Sequence, residues 1–208
     1  MHDIAARNGK PALFDLDSDQ RMILDNADRF ARNELHGLSE RMDNEEWWPN
    51  DAFRKIGENG LFGITIPEEY GGAGLDLMAA AWVAHDNLCA NNIYRNGTEA
   101  QRRRYLPDLC AGRSIGALGL TEPGAGSDAL GSMRTIARRD GDHYVLNGSK
   151  IFITNGPVAD VLLVYAKTDR ARGAHGISAF IVEKSFPGFS VAQKLEKMGY
   201  RGSQTGEL

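Results

Sequence analysis

A chain of 208 residues with 42% hydrophobic content has enough apolar material for one large domain or two modest ones, so a globular protein is expected rather than a fibrous or disordered one. Its formal charge of -4 argues against a surface built to neutralise a phosphate backbone, and the short run Arg102, Arg103, Arg104 reads as a solvated helix face. Cys89 and Cys110 have no metal-ligand spacing, no apolar run approaches the roughly 18 residues of a membrane span, and the first residues resemble no transit peptide.

Residues 1–14 carry no periodicity and read as a loose arm. Asp17 with Gln20 has capping-box spacing, and Ile23, Ala27 and Phe30 fall on one face of a helix expected over residues 19–36. Asn50 is the expected cap of a second helix, 51–59, with Phe53 and Ile56 facing inward and Gly60 as its left-handed terminator. Residues 61–75 read as an extended apolar piece closing in Gly71, Gly72 and Gly74. A helical pattern covers 76–89, and Thr98 with Gln101 opens another helix toward Leu109.

Past Gly112 the period changes from helical to strand-like. Residues 115–120 form a short apolar run, 133–138 alternate, and Asp140-Gly141 predicts a hairpin into Tyr144, Val145 and Leu146. Asn147-Gly148 predicts a second hairpin, into Ile151, Phe152 and Ile153. Residues 161–167, 177–183 and 188–194 read as further strands, the first two joined by a basic loop, 170–176. Helices followed by short strands predict an α+β chain: an N-terminal helical domain over 1–114 and an antiparallel β-sheet or barrel domain over 115–208.

The densest signal for function is ALGLTEPGAGSD, residues 117–128. Its glycines 124 and 126 permit positive φ and bare backbone N–H groups, while Thr121 and Ser127 add hydroxyls, which suits a polar ligand with many acceptors; a polar surface turn is the plainer alternative. Together with NGSKIFITNG (147–156) and KMGYRGSQTGEL (197–208), this loop resembles the signature of the acyl-CoA dehydrogenase family of flavoenzymes. The resemblance runs from about residue 15 to the last residue, with the isovaleryl-CoA dehydrogenases as the nearest branch. Against the family pattern, one helix is missing between Leu75 and His85.

That resemblance implies FAD as cofactor, lined by Leu118, Gly119, Leu120, Thr121, Glu122, Pro123, Gly124, Ala125, Gly126 and Ser127. Phe152, Ile153 and Thr154 would lie on its other side. Alternation along a strand puts Phe152 and Thr154 on one face, an aromatic plane beside a hydroxyl, although a lone strand phenylalanine is by default a core residue. Ser127, Ala174 and His175 are the implied contacts to an acyl-CoA substrate; a turn-stabilising Ser127 hydroxyl and a merely solvated basic loop are the alternatives. The reaction implied is α,β-dehydrogenation of a short branched-chain acyl-CoA such as isovaleryl-CoA, with electrons passed to an electron-transfer flavoprotein. In the family the carboxylate base sits on a C-terminal helical domain, so it is expected beyond Leu208, and no residue here is assigned as catalyst. Glu122 reads as a structural part of its turn, and His85 as a packed or solvent-facing side chain. The family's homotetramer depends on that same C-terminal domain, and its location would be cytoplasmic in a bacterium and the mitochondrial matrix in a eukaryote. A non-catalytic flavin- or CoA-binding module, one half of a split enzyme, and oxidase chemistry on the same scaffold are the alternatives.

Overall fold

The computed structural model describes residues 18–73, 83–199 and 201–208. Helix α1, Ser18–Phe30, buries Phe30 and half-buries Ile23 and Ala27 against Phe53, Ile56 and Phe62, as its 3.6-residue spacing requires. The helix expected to run to residue 36 changes geometry at Phe30. A wide π-helical turn, Ala31–Leu35, and a 3-10 turn, His36–Leu38, lead into α2, Ser39–Asn44. Gly37, weakly committed to α-helix, lies inside the 3-10 turn. Asp17 of the expected capping box lies outside the described residues.

Helix α3 is Asn50–Glu58, and its cap position belongs to Pro49 rather than Asn50. The Pro49 carbonyl already accepts from the Phe53 N–H at 3.0 Å, which makes Asn50 the first helical residue, and its side chain caps nothing. The far end matches expectation. Gly60 is left-handed at φ 68°, and the Leu61 N–H reaches back to the Ile56 carbonyl at 3.1 Å. Residues 61–73 form no strand; they turn repeatedly, bury Phe62, Ile64 and Ile66, and include a 3-10 turn, Glu68–Tyr70. The reason is local: the Ile66 and Ala73 N–H groups both bond the Gly63 carbonyl, which folds the segment on itself. The helix expected over 76–89 falls partly outside the described residues; from Val83 to Ala90 the chain is a π-helix that runs into α4, Asn91–Asn96. Helix α5, Glu99–Cys110, opens with the expected reciprocal box, Thr98 Oγ1 accepting from the Gln101 N–H and Gln101 Oε1 from the Thr98 N–H.

The strands begin with β1, Gly116–Gly119, then a short helix α6, Ala129–Ser132, and the hairpin of β2, Ile136–Asp140, and β3, His143–Asn147. As expected, that hairpin turns at Gly141, φ 60°. Strand β4 is Ile153–Thr154, β5 Val161–Lys167, β6 Ile177–Glu183, β7 Gln193–Lys194 and β8 Thr205–Glu207. The centre is β5, paired with antiparallel β6 along one whole edge. Its other edge takes β1 in parallel, Gly116 opposite Val161, and then the start of β2, Ile136 opposite Lys167. The larger sheet is therefore mixed, not purely antiparallel. The second expected hairpin does not form either: β4 pairs with β8, Ile153 opposite Gly206, in a small sheet ordered β4-β8-β7. Gly148, at φ 155°, lies so close to Thr135 that a Cβ would stand 2.4 Å from its hydroxyl, and Lys150 pairs its backbone with Leu208 instead.

Side-chain alternation makes β5 the wall of the molecule. Val161 and Leu163 enter the helical core with Cys89, Ile93 and Leu106, while Leu162 and Val164 pack with Ala117 and Ile153 on the other face. Helices and strands are also joined by His85, 2% exposed, whose Nδ1 accepts from the Gly116 N–H at 2.9 Å and whose Nε2 lies 3.0 Å from the Leu109 carbonyl. Those partners place the proton on Nε2 of a neutral ring. Burial pushes the His85 pKa down to about 4, against the pull of the Leu109 carbonyl. Burial pushes the neighbouring Asp86 up to about 6, against the N–H bonds of Gly63 and Ile64.

These two shifts act in opposite senses. The neutral His85 stabilises the fold fully above its unfolded pKa of 6.5, and that contribution is lost as pH falls toward 4. Asp86, raised from 3.8, destabilises above about 6 and ceases to do so as pH falls to 3.8. The pair should leave little net slope between pH 4 and 6. Asp86→Asn, which keeps an acceptor for Gly63, should uncover the histidine contribution as a loss of about 3 kcal/mol from pH 7 to pH 4 in urea titrations; a variant as flat as the parent would refute the assignment.

Candidate functional site

The candidate site starts where β1 runs out. Beyond Leu120 the chain closes a two-residue turn, with the Glu122 N–H bonded to the Ala125 carbonyl and the Ala125 N–H to the Glu122 carbonyl, both at 3.0 Å. Pro123 and Gly124 form its tip. Neither Gly124 nor Gly126 adopts the positive φ their composition suggests, and a Cβ on either would meet no atom within 4 Å. Nothing inside the chain requires glycine there, and the bare backbone faces outward. Ser127 is exposed and its hydroxyl has no partner among the described residues, so it does not serve as a turn-stabilising group; Asp128 instead holds the Ser132 hydroxyl.

Under the turn lies a buried ion pair. Glu122 and Lys150, each with a 5% exposed side chain, meet at 2.9 Å. The Glu122 carboxylate also accepts from the Arg134 N–H at 2.6 Å and the Thr135 N–H at 2.9 Å, while Lys150 Nζ donates to the Leu120 carbonyl at 3.0 Å. Burial raises the pKa of Glu122, but the donors of Thr135, Arg134 and Lys150 outweigh it and hold the carboxyl at about 2. Both carboxylate oxygens are therefore occupied by donors of the chain itself. The Ile151 N–H bonds the Thr121 carbonyl at 2.9 Å, which completes the tie between residues 120–122 and 150–151.

From that tie the chain enters Phe152, which is not in a strand. Its backbone is left-handed at φ 60°, an unfavourable conformation for a bulky residue, and its ring is 64% exposed. Ile153 is buried, Thr154 is exposed, and Asn155 is again left-handed at φ 64°. Phe152 and Thr154 do share exposure while Ile153 points inward, although strand geometry covers only the last two.

A cleft of about 820 Å³ opens between these segments and the helices. Leu118, Leu120 and Thr121 line it from one segment, and Phe152, Ile153 and Thr154 from the other. The hydroxyls of Thr121 and Thr154 have no hydrogen bond among the described residues, so both are free for a ligand. Gly119 and the turn residues Glu122, Pro123, Gly124, Ala125, Gly126 and Ser127 lie outside the lining. Ala174 and His175 lie farther off, exposed in the 3-10 segment Arg170–Gly176, which packs on α6. Sequence reasoning missed the opposite wall, including Trp48, Phe53, His85 and Ser203. Only Ser203 fell inside a quoted motif; the others carried no signal beyond that of core residues.

Removing the cation should expose how the turn is held. Lys150→Met leaves a buried carboxylate unpaired and should cost about 3–5 kcal/mol at pH 7. The parent's Glu122 contribution is present above its unfolded value of 4.5 and lost as pH falls toward 2, so the gap between parent and variant should narrow over that interval. Equal urea midpoints at pH 7 would contradict a stabilising role for the pair.

The sequence pattern of the acyl-CoA dehydrogenase middle domain matches residues 117–208, and that of the acyl-CoA dehydrogenase N-terminal domain matches residues 17–86 and 77–113. A short-chain specific acyl-CoA dehydrogenase of Clostridium acetobutylicum is 44% identical over 94% of this chain and 55% of its own length. A mitochondrial isovaleryl-CoA dehydrogenase of Arabidopsis thaliana is 44% identical over 92% of this chain and 51% of its own. Among solved structures, a chain from the electron transferring flavoprotein study of Acidaminococcus fermentans superposes with a TM-score of 0.89 at 45% identity, covering 93% of this chain and 55% of that one. Butyryl-CoA dehydrogenase of Megasphaera elsdenii gives 0.86 at 39%, over 93% and 56%. An acyl-CoA dehydrogenase of Bacillus anthracis complexed with FAD gives 0.82 at 38%, over 93% and 36%. The chain spans about half the length of the curated relatives it matches. It belongs to the acyl-CoA dehydrogenase family, of which it carries the N-terminal helical and middle β parts.

Proposed function

We propose that this chain forms the flavin-facing part of an FAD-dependent dehydrogenase that desaturates a short branched-chain acyl-CoA, as an N-terminal helical domain over 1–114 and a middle β domain over 115–208. One observation carries the reading: two unpartnered hydroxyls, Thr121 and Thr154, and a strained, exposed aromatic, Phe152, converge on one apolar cleft. A flat ring system with a polar edge fits that combination. When bound, a flavin supplies the two-electron acceptor for hydride. The chain's own residues bind and orient: Phe152 covers a ring plane, and Thr121 and Thr154 donate to ring-edge acceptors. Leu118 and Leu120 exclude water from the cleft. The bare turn at Gly124 and Gly126 admits a pyrophosphate, and Ser127, Ala174 and His175 face an acyl-CoA.

Proton abstraction is assigned to no residue of this chain. Glu122 is held at about 2 with its oxygens occupied, and His85 is neutral with both nitrogens engaged. Isovaleryl-CoA dehydrogenases among the relatives support a branched substrate, and the likeness to the Acidaminococcus structure supports an electron-transfer flavoprotein as acceptor. The overlapping matches 17–86 and 77–113 support a shortened helical part near residue 80. One half of a split enzyme is the second reading, separated from the first by the experiment below.

FAD titrated into the chain should show quenched fluorescence and a shifted visible band, while isovaleryl-CoA should not bleach it. No uptake of FAD overturns the site; bleaching by this chain alone overturns the absence of a base. Bleaching that appears only with the C-terminal part of a relative supports the split reading. Phe152→Gly should leave stability unchanged or raise it by up to about 1 kcal/mol, since glycine tolerates the left-handed backbone. The same substitution should weaken FAD binding about three- to tenfold through loss of the ring contact, whereas unchanged affinity would remove Phe152 from the site.

A further inference from the structure

The third wall of the cleft is made by the tail motif, and Glu46 anchors it. Gly202 and Ser203 line the cleft beside Met42, Asp43 and Trp48. The tail approaches so closely that a Cβ on Gly202 would stand 2.7 Å from the Met42 Cβ. What draws it in is Glu46. Its carboxylate binds Lys194 and Arg201, both at 2.9 Å, and its carbonyl accepts from Gln204 Nε2 at 2.9 Å and Lys194 Nζ at 3.3 Å. Lys194 and Arg201 hold the carboxyl below the ordinary glutamate range, against the effect of burial. Glu46 does this with a left-handed backbone, φ 51°. The Arg201 N–H adds a bond to Asp43 Oδ1 at 3.2 Å.

The residue delivered by this clamp is Ser203. Its carbonyl is taken by Lys197 Nζ and by Thr205 Oγ1, but its hydroxyl has no partner among the described residues. It is a third free hydroxyl on the cleft, beside Thr121 and Thr154 and from a different part of the chain. We propose that Ser203 donates a hydrogen bond to the ring system bound in this cleft, and that Glu46 is the positioning residue that holds Ser203 in place through Arg201 and Lys194. The proposal rests on the flavin reading above and adds a contact and a support to it.

The test is FAD titration of the full chain and three variants, read by affinity and by the visible spectrum of the bound flavin, beside urea unfolding without FAD. Ser203→Ala removes a hydroxyl with no protein partner, so unfolding should not change, while FAD affinity should fall about fivefold, as loss of one hydrogen bond predicts, and the visible band should shift. Glu46→Gln should lower affinity as well, and the double variant should bind no more weakly than Glu46→Gln alone, because the second residue acts through the first. If Glu46→Gln unfolds, Arg201→Met removes the same clamp from the other side. A parent that takes up no FAD overturns the flavin reading and this proposal with it. A parent that binds FAD beside a Ser203→Ala variant of equal affinity and spectrum overturns the proposal alone, and strictly additive effects overturn the positioning role of Glu46.

Discussion

The buried pair of Glu122 and Lys150 is the interaction on which the rest of the site depends. A charge pair sealed from water survives only if nearly every oxygen and proton is satisfied, and this one draws on three further residues: Leu120, Arg134 and Thr135. Each partner is thereby fixed relative to the others. The end of β1, the start of β2 and the approach to β4 meet at one point, and the Lys150 backbone adds Leu208 to the set. The half-buried Thr121 and the exposed Phe152 nearby take their positions from a charge they never touch.

The wall formed by β5 does comparable work with apolar groups. Because successive side chains leave opposite faces, one seven-residue strand closes the helical core with Val161 and Leu163 and the core of the small sheet with Leu162 and Val164. Parallel partners on one edge and an antiparallel partner on the other leave it without a free edge along most of its length. The helical and β parts thus share a strand rather than merely abutting, and His85 adds a polar link beside that shared strand.

Local chemistry was legible in the sequence wherever one short stretch decides the outcome. The Thr98 and Gln101 box, the left-handed stop at Gly60, the Gly141 turn and the turn after Thr121 all depend on neighbours within a few residues. Long-range pairing was not legible. Asn147-Gly148 has hairpin composition, yet the backbone beyond it pairs with a strand some fifty residues later, because Gly148 is spent on close approach to Thr135. Likewise Phe152 reads as an ordinary strand aromatic, and only the coordinates show a left-handed backbone. His85 read only as a packed or solvent-facing side chain and Glu46 drew no reading, since what each does is set by partners between about twenty and 160 residues away.

The backbone pairing of Lys150 with Leu208 has a consequence for the order in which the molecule comes together. Residues 83–110 can gather into helices as they leave the ribosome, at roughly 5–20 residues per second, while β1 waits for β5. The turn at Glu122 acquires its cation about thirty residues later, and the cleft gains the side made by Gly202 and Ser203 only when residues 201–208 emerge. Until then Leu118 and Leu120 lack the side of the cleft that Gly202 and Ser203 supply, so a nascent chain stalled short of residue 203 presents an open apolar face where a longer one presents a walled pocket.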